Sequence, residues 1–396
     1  MVGVKKKKVI STLGVIALSA SLVTPVFAQQ PETSPGTPDE QVLSVEGFTN
    51  HEQLGKKLQQ IAKSSQGKVQ VEVAGYSNRG REIYKATVGQ GDKVILLESE
   101  IHGNEPTGTE AILNILQFLG TNSPEAQKIR EEVTIVALPK MNPDASELSR
   151  RGNDLTWAEV VEDFPQLASV RPTWNYYIYQ NQTFDYASQP GFDVNRDFNP
   201  NLDYVPQPED FPGNSSQPGW FITPESQVVR DVYKDLQAEF GKVDVFVDLH
   251  HQAPYYEVEG TDDLVTFSIS GQFVPDPSTT EKYAEYADTY DYDFSRQLNV
   301  AVFDALQEKG NANISLYPQG LDLPGTALGT FALNGSGAVL FEVRGQTQSM
   351  GQKKKGELVK AVERGLYGII NGVADGTVYD INPEEYESIP LTKGRQ

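Results

Sequence analysis

The sequence predicts an α/β protein, a single domain with a mixed, mostly parallel central β-sheet flanked by helices. Two observations carry this. The runs from Lys93 to Leu97, Val133 to Leu138, Val243 to Leu249 and Ala338 to Val343 have the length and near-uniform apolarity of strands covered on both faces. Between the first two lies a longer apolar-rich segment, Ala111 to Leu119, which gives the order strand, helix, strand expected of helical crossovers between parallel strands. In such sheets ligand sites lie beyond the carboxyl ends of the strands. No composition shift between Phe48 and Tyr379 demands a second domain, and no internal repeat is visible.

Taken in order, residues 1–28 have the three parts of a secretion signal: Lys5 to Lys8, the apolar Val9 to Ala20, and Val26-Phe27-Ala28 before Gln29. The apolar run is too short for a membrane anchor, which needs about 20 residues. The expected product is a secreted protein, free of the membrane once the signal is cleaved. Residues 29–45 are rich in Pro, Thr, Ser and acids and read as a flexible linker. The catalytic domain is expected over 46–380, followed by a C-terminal tail at 381–396. Cysteine is absent, which excludes disulfide stapling, thiol catalysis and Cys-type zinc fingers. The formal charge of −21, more negative still without Lys5 to Lys8, disfavours nucleic acid and anionic lipid as partners.

Within the domain, Thr49 is placed to cap a helix carrying Leu54, Leu58 and Ile61. Lys68 to Val73 and Glu82 to Val88 form a strand pair across the turn Ser77 to Gly80. Arg150 to Gly219 lacks periodicity and reads as a long functional loop region. Thr223-Pro224-Glu225 starts a helix, with Thr as cap and Pro at the first position. Glu281 to Glu308 reads as one long helix, and Gly356 to Val373 as the closing one.

Chemistry is expected around His102 and Glu105, three residues apart just after the first strand, a spacing at which two side chains can face one point. A catalytic zinc usually takes three protein ligands and keeps a position for water. Of the four histidines, His250 is the candidate third ligand because it ends the strand from Val243, whereas its neighbour His251 should face the other way. The His-Glu-x-x-His, His-x-x-Glu-His, Gly-x-Ser-x-Gly and Walker patterns are all absent.

Four ordered motifs, His102-Gly103-Asn104-Glu105-Pro106-Thr107-Gly108, Asp193-Val194-Asn195-Arg196-Asp197-Phe198, Asp248-Leu249-His250 and Phe341-Glu342-Val343-Arg344, together resemble the zinc carboxypeptidase family related to pancreatic carboxypeptidase. The resemblance runs from Gly75 to about Gly345. It implies one Zn²⁺ per chain held by His102, Glu105 and His250, with Glu342 as general base. It implies that Asn195 and Arg196 grip a substrate's terminal carboxylate, that Arg151, with Arg150 as rival, steadies the oxyanion, and that Tyr317 is the mobile tyrosine at the substrate. The expected substrate is a peptide with a free C-terminal carboxylate and the expected state a monomer. Thr326 to Leu333 are expected to wall the specificity pocket, whose lack of Lys and Arg suggests neutral terminal residues, with Asp322 as a feature that would favour basic ones. The alternatives are a zinc amidase or deacylase acting on N-acyl amino acids or cell-wall peptides, and a non-catalytic binding protein that keeps the fold. Glu342 and Arg344 could instead form a plain ion pair across one strand face, and Tyr317 could be a packing residue.

Overall fold

The computed structural model describes residues 44–173, 175, 191–308, 310, 312–346 and 350–393. The predicted signal segment and all but the end of the linker lie outside the described residues. In chain order the main elements are α1 (His51–Ser64), β1 (Val69–Tyr76), β2 (Glu82–Gly89), β3 (Lys93–Ser99), α2 (Thr107–Leu119), α3 (Pro124–Glu132), β4 (Val133–Leu138), α4 (Pro143–Glu147) and α5 (Trp157–Asp163). They continue as α6 (Pro224–Phe240), β5 (Val245–Gln252), β6 (Glu257–Val258), β7 (Phe267–Ser270), α7 (Tyr292–Gln307), β8 (Ile314–Leu316), α8 (Ala327–Leu333), β9 (Gly337–Arg344), α9 (Gly351–Asp375) and β10 (Thr392–Lys393).

Eight strands form one mixed sheet in the order β1-β2-β4-β3-β5-β9-β7-β8. Its centre, β4-β3-β5-β9, is parallel, while β1, β2 and β7 join antiparallel. Every residue of β4 and β5 is buried, which is why β4 and the first half of β5 read as strongly apolar runs. One face packs against α1, α2, α3, α7 and α9 through residues such as Leu58, Ile112, Leu298 and Leu366. The other face packs against α6 and α8 through Val229, Tyr233 and Phe331. Burying each such Leu, Ile or Phe contributes about 1.5–3 kcal/mol, so the two apolar layers dominate the stability.

Helix starts follow their caps. The first helix is capped by Asn50 in a reciprocal capping box with Gln53, while the expected cap Thr49 donates to Glu110 Oε1 at 2.7 Å. The predicted start at Thr223-Pro224 holds, with the Thr223 side chain accepting from Ser226 N. The single helix predicted over 281–308 is two pieces: a 3₁₀ segment, Glu281–Tyr286, non-helical at Tyr283, then α7 capped by Asp291. An Asp at the cap position outcompeted the continuous apolar period. The stretch at 381–393 packs on the domain, with Tyr386 and Ile389 buried and β10 paired to β6.

Candidate metal centre

His102 and Glu105 lie on the loop Glu100 to Pro106, which leaves the carboxyl end of β3 and enters α2. Glu100 adopts φ +56°, turning the chain sharply, and its buried carboxylate accepts from Thr109 Oγ1 at 2.5 Å and from the ammonium of Lys140. Lys140 also donates to Ser146 Oγ at 2.5 Å. Asn142 Nδ2 donates to the Ile101 carbonyl at 2.9 Å, and Met141 N to the Ser99 carbonyl at 3.0 Å. Gly103 sits directly on α4: a Cβ there would come within 2.0 Å of Ala145 C and Ser146 N. The loop is thus pinned from below by the segment that follows β4.

His250 lies near the carboxyl end of β5, beside β3, and its ring reaches the same point. His102 Nδ1 lies 3.1 Å from both Glu105 oxygens and 3.1 Å from His250 Nδ1, and His250 Nδ1 lies 2.9 Å from Glu105 Oε2. All three residues are buried, and one donor atom from each lies within 4.8 Å of the others. On the far side of the rings, His102 Nε2 is 3.1 Å from Asp193 Oδ1 and His250 Nε2 is 2.7 Å from Asp248 Oδ2. Each carboxylate calls for an N–H at Nε2, which leaves both Nδ1 lone pairs aimed at one another and at a carboxylate. Three electron-pair donors converging without a hydrogen among them fit a divalent cation, and the two-His, one-carboxylate set suits zinc. Burial opposes ionisation of Glu105, but the two histidines hold it well below the usual carboxylate range.

His251 faces away, as strand alternation requires, with Nε2 3.2 Å from Thr107 N and 2.7 Å from Thr107 Oγ1. Burial pushes its pKa down to about 4, so it stays neutral at the start of α2. His51 lies elsewhere, against Glu82 Oε2 at 3.2 Å and stacked on Tyr84.

The segment Asp193 to Arg196 folds as a 3₁₀ turn over this cradle. Asn195 is oriented by Ala327 N, which donates to its Oδ1 at 3.0 Å, and its Nδ2 lies 3.3 Å from His250 Nε2. Arg196 donates from Nη1 to the Asn195 carbonyl at 2.6 Å, while its Nε is buried with no hydrogen-bond partner among the described residues. Arg151 donates from Nε to Asp193 Oδ2 at 2.9 Å, so Asp193 joins the His102 ring to this arginine. Burial works against the Asp193 charge, yet Arg151, His102 and Arg196 hold its pKa well below the ordinary value. The rival Arg150 is turned into its own loop, donating to the carbonyls of Gly152, at 3.1 Å, and Asn153. Asp197 below the turn is buried and accepts from Thr223 and Ser226 hydroxyls at 2.7 Å each, tying the turn to the start of α6.

Glu342 stands on β9 in register with His250 on β5, and the two strands are parallel. Burial first, then the charges of Glu105 and Asp248, push its pKa up to about 8, against His250 and Arg151. Tyr317, just past β8, is raised by burial and by Glu342 and Tyr256, and lowered by Arg151 and Arg196. The charges of Glu342, Arg151 and Arg196 thus bear on Tyr317, and those of Glu105, His250 and Arg151 on Glu342. Arg344 shares no ion pair with Glu342; its Nε donates to the Pro254 carbonyl at 2.9 Å.

One expectation about specificity does not hold. Leu328, Phe331 and Leu333 are core residues, with Phe331 stacked on Tyr233 at 4.1 Å, so α8 offers the cleft its amino end rather than an apolar wall. Asp322 is engaged by Lys282 Nζ at 2.6 Å and Tyr283 Oη at 2.5 Å. Sequence reasoning also missed Asp193 and Asp248 as partners of the ligand rings, and Tyr256, whose pKa is raised by burial and by Glu342. An acid two residues before His250 and another two before Asn195 were the signals available.

Fold and site together define an α/β protein with a buried two-histidine, one-glutamate metal cradle at the carboxyl ends of its central strands. Residues 54–321 match the zinc carboxypeptidase family model, and the chain belongs to that family. Glu342 lies beyond the matched range. Mouse carboxypeptidase D is 26% identical over 149 residues, 34% of this chain but only 11% of that protein's length. Carboxypeptidase 2 of Trichophyton rubrum is 29% identical over 123 residues, 28% of this chain and 23% of its own length. Bovine thrombin-activatable fibrinolysis inhibitor, solved in complex with tick carboxypeptidase inhibitor, shares the fold at a TM-score of 0.55 and 12% identity, over 84% of this chain and 99% of that one. Carboxypeptidase A of Helicoverpa armigera shares it at 0.50 and 16% identity, over 85% and 77%.

Proposed function

We propose that this chain is a secreted, monomeric zinc metallocarboxypeptidase that removes the last residue of peptides with a free carboxyl end. Zinc would be held by Nδ1 of His102 and His250 and by the Glu105 carboxylate. When bound, zinc supplies a Lewis acid that polarises the scissile carbonyl and acidifies a water. Glu342 would accept a proton from that water and pass it to the leaving amine. Arg151, aligned by Asp193, stabilises the developing oxyanion. Tyr317 closes over the substrate. Asn195 and Arg196 bind its terminal carboxylate.

The observation that carries the exopeptidase reading is the buried Nε of Arg196, without a hydrogen-bond partner among the described residues, beside Asn195 and the metal cradle. A guanidinium N–H left unsatisfied in a cleft calls for an anionic ligand, and a carboxylate matches its planar fork. Export is supported by the basic, apolar and small-residue pattern of residues 1–28, and 46–380 is the proposed extent of the catalytic domain. Arg196→Ala tests the reading with a matched pair of blocked dipeptides, one ending in a free acid and one in an amide. Losing the clamp should cost about 2–5 kcal/mol on the free acid, a roughly thirty- to several-thousand-fold fall in kcat/KM. The amide should change by no more than a few-fold. Equal losses on both would remove the exopeptidase argument.

A further inference from the structure

The C-terminal stretch expected as a tail is tied to the edge of the sheet that leads into Tyr317. After α9 it forms a 3₁₀ segment, Pro383–Ser388, held against α7 by Arg296, which pairs with Glu384 at 3.5 Å and with Glu387. Further on it meets β8: Leu316 N donates to the Pro390 carbonyl at 2.7 Å, and Thr392 Oγ1 lies 2.7 Å from Ser315 Oγ and 2.6 Å from Ser268 Oγ. Between these anchors Tyr386 is buried, and its hydroxyl accepts from Gly271 N at 3.2 Å and donates to Gln319 Oε1 at 3.1 Å. The Gln319 amide turns back and donates to the Tyr317 carbonyl. On its other side, Tyr317 N donates to the Ile269 carbonyl of β7 at 2.8 Å.

Both backbone groups of Tyr317 are therefore held, the N–H by β7 and the carbonyl, through Gln319, by Tyr386. Pro318, which follows, has no N–H to add a bond of its own. A buried tyrosine hydroxyl needs some partner, and any fixed acceptor would serve that need. Here the acceptor is one end of a single amide whose other end serves the Tyr317 carbonyl. A side chain that swings over a substrate works from a hinge that stays still, and a misplacement of about 1 Å can cost about 100-fold in rate. We propose that Tyr386 is a positioning residue that acts on Tyr317 through Gln319, so that the C-terminal segment sets where this tyrosine stands.

This inference rests on Tyr317 acting at the substrate, and the test separates the two ideas. Tyr386→Phe keeps the ring and removes only the hydroxyl, whereas Gln319→Leu breaks the same relay without touching the C-terminal segment. With zinc-loaded protein and a blocked dipeptide ending in a free acid, each should lower kcat/KM by about 5- to 20-fold, with zinc affinity unchanged in competition with a chromophoric chelator. In a Tyr317→Ala background neither change should lower kcat/KM further, because the group they position is gone. A role confined to stability would give the same loss in both backgrounds, and that result, or no loss in the parent background, would overturn the proposal. Tyr317→Ala with the parent's activity would instead remove Tyr317 from the substrate, and the proposal with it. Hydrogen exchange of the metal-free protein supplies a readout that needs neither zinc nor substrate. The amides of 316–320 should exchange faster in Tyr386→Phe than in the parent while those of α2 and α6 do not change, and unaltered protection at 316–320 would also overturn the proposal. Faster exchange there in a chain that cleaves no peptide would remove the carboxypeptidase reading and leave the relay standing.

Discussion

Lys140 and Glu100 form a charge pair whose side chains are 1% and 0% exposed, two residues from His102. Lys140→Met removes the only donor to Glu100 Oε2 among the described residues, while Oε1 keeps Thr109 at 2.5 Å. The stranded carboxylate can neither reach water nor find another cation, so the single change should cost about 3–5 kcal/mol of stability. Replacing both partners is a different perturbation. In Lys140→Met with Glu100→Met neither charge of the pair remains, and the single Thr109 hydroxyl proton is left for the Pro139 carbonyl at 2.5 Å. The double variant should therefore recover most of the loss, giving a coupling of at least about 2 kcal/mol. Urea unfolding of the metal-free parent, the two single variants and the double variant completes the cycle. Additive losses, or a Lys140→Met cost under about 1 kcal/mol, would refute the claim that this pair is held as a unit.

The other expectations are narrower. Glu342→Gln should bind zinc with unchanged stoichiometry and lose hydrolysis by at least about 100-fold, the scale of general acid–base catalysis; turnover near the parent rate would remove the base assignment. Gly103→Ala should destabilise the protein by about 1–3 kcal/mol and weaken zinc binding, because the new methyl meets the backbone of α4 at 2.0 Å; unchanged melting and affinity would show that the loop does not rest there. Glu225 is buried against Asn153 Nδ2, at 3.0 Å, and Asn78 N, at 3.2 Å, and burial raises its pKa from 4.5 to about 7. A carboxyl whose pKa is higher in the folded state binds its proton more tightly there, so stability is full below about pH 4.5 and falls as pH rises through 7, by up to about 3 kcal/mol. Denaturation midpoints of the parent and Glu225→Gln across that range should diverge with this sign, and parallel profiles would contradict it.

Much of the fold was legible because burial on both faces leaves an unbroken apolar run, as in Val133 to Leu138, which is β4 residue for residue. The metal triad was legible too, since His102 and Glu105 share a short loop after β3 and His250 lies near the carboxyl end of β5, the strand next to it. What escaped were polar groups that the pattern of hydrophobicity treats as ordinary. Asp248 merely interrupts an apolar run, Asp193 sits among other acids, and nothing in either neighbourhood announces full burial. The helix over 281–308 was misread because Tyr at regular intervals imitates an amphipathic face, whereas Asp291 starts a new helix. Leu328, Phe331 and Leu333 suggest a pocket wall in the sequence because apolarity alone does not distinguish a cleft from a core.

The position of β9 carries a consequence for timing. That strand inserts beside β5, between it and β7, and brings Glu342 to a site whose first ligand, His102, is made far earlier in the chain. A ribosome finishing the first two thirds of this protein has supplied every metal ligand but no base, and β5 still lacks its neighbour. Such sequence-distant pairing is slow to form and comes late. On the proposed mechanism, hydrolytic power switches on only when the last central strand docks, so the nascent chain is inert by construction while it is still being made.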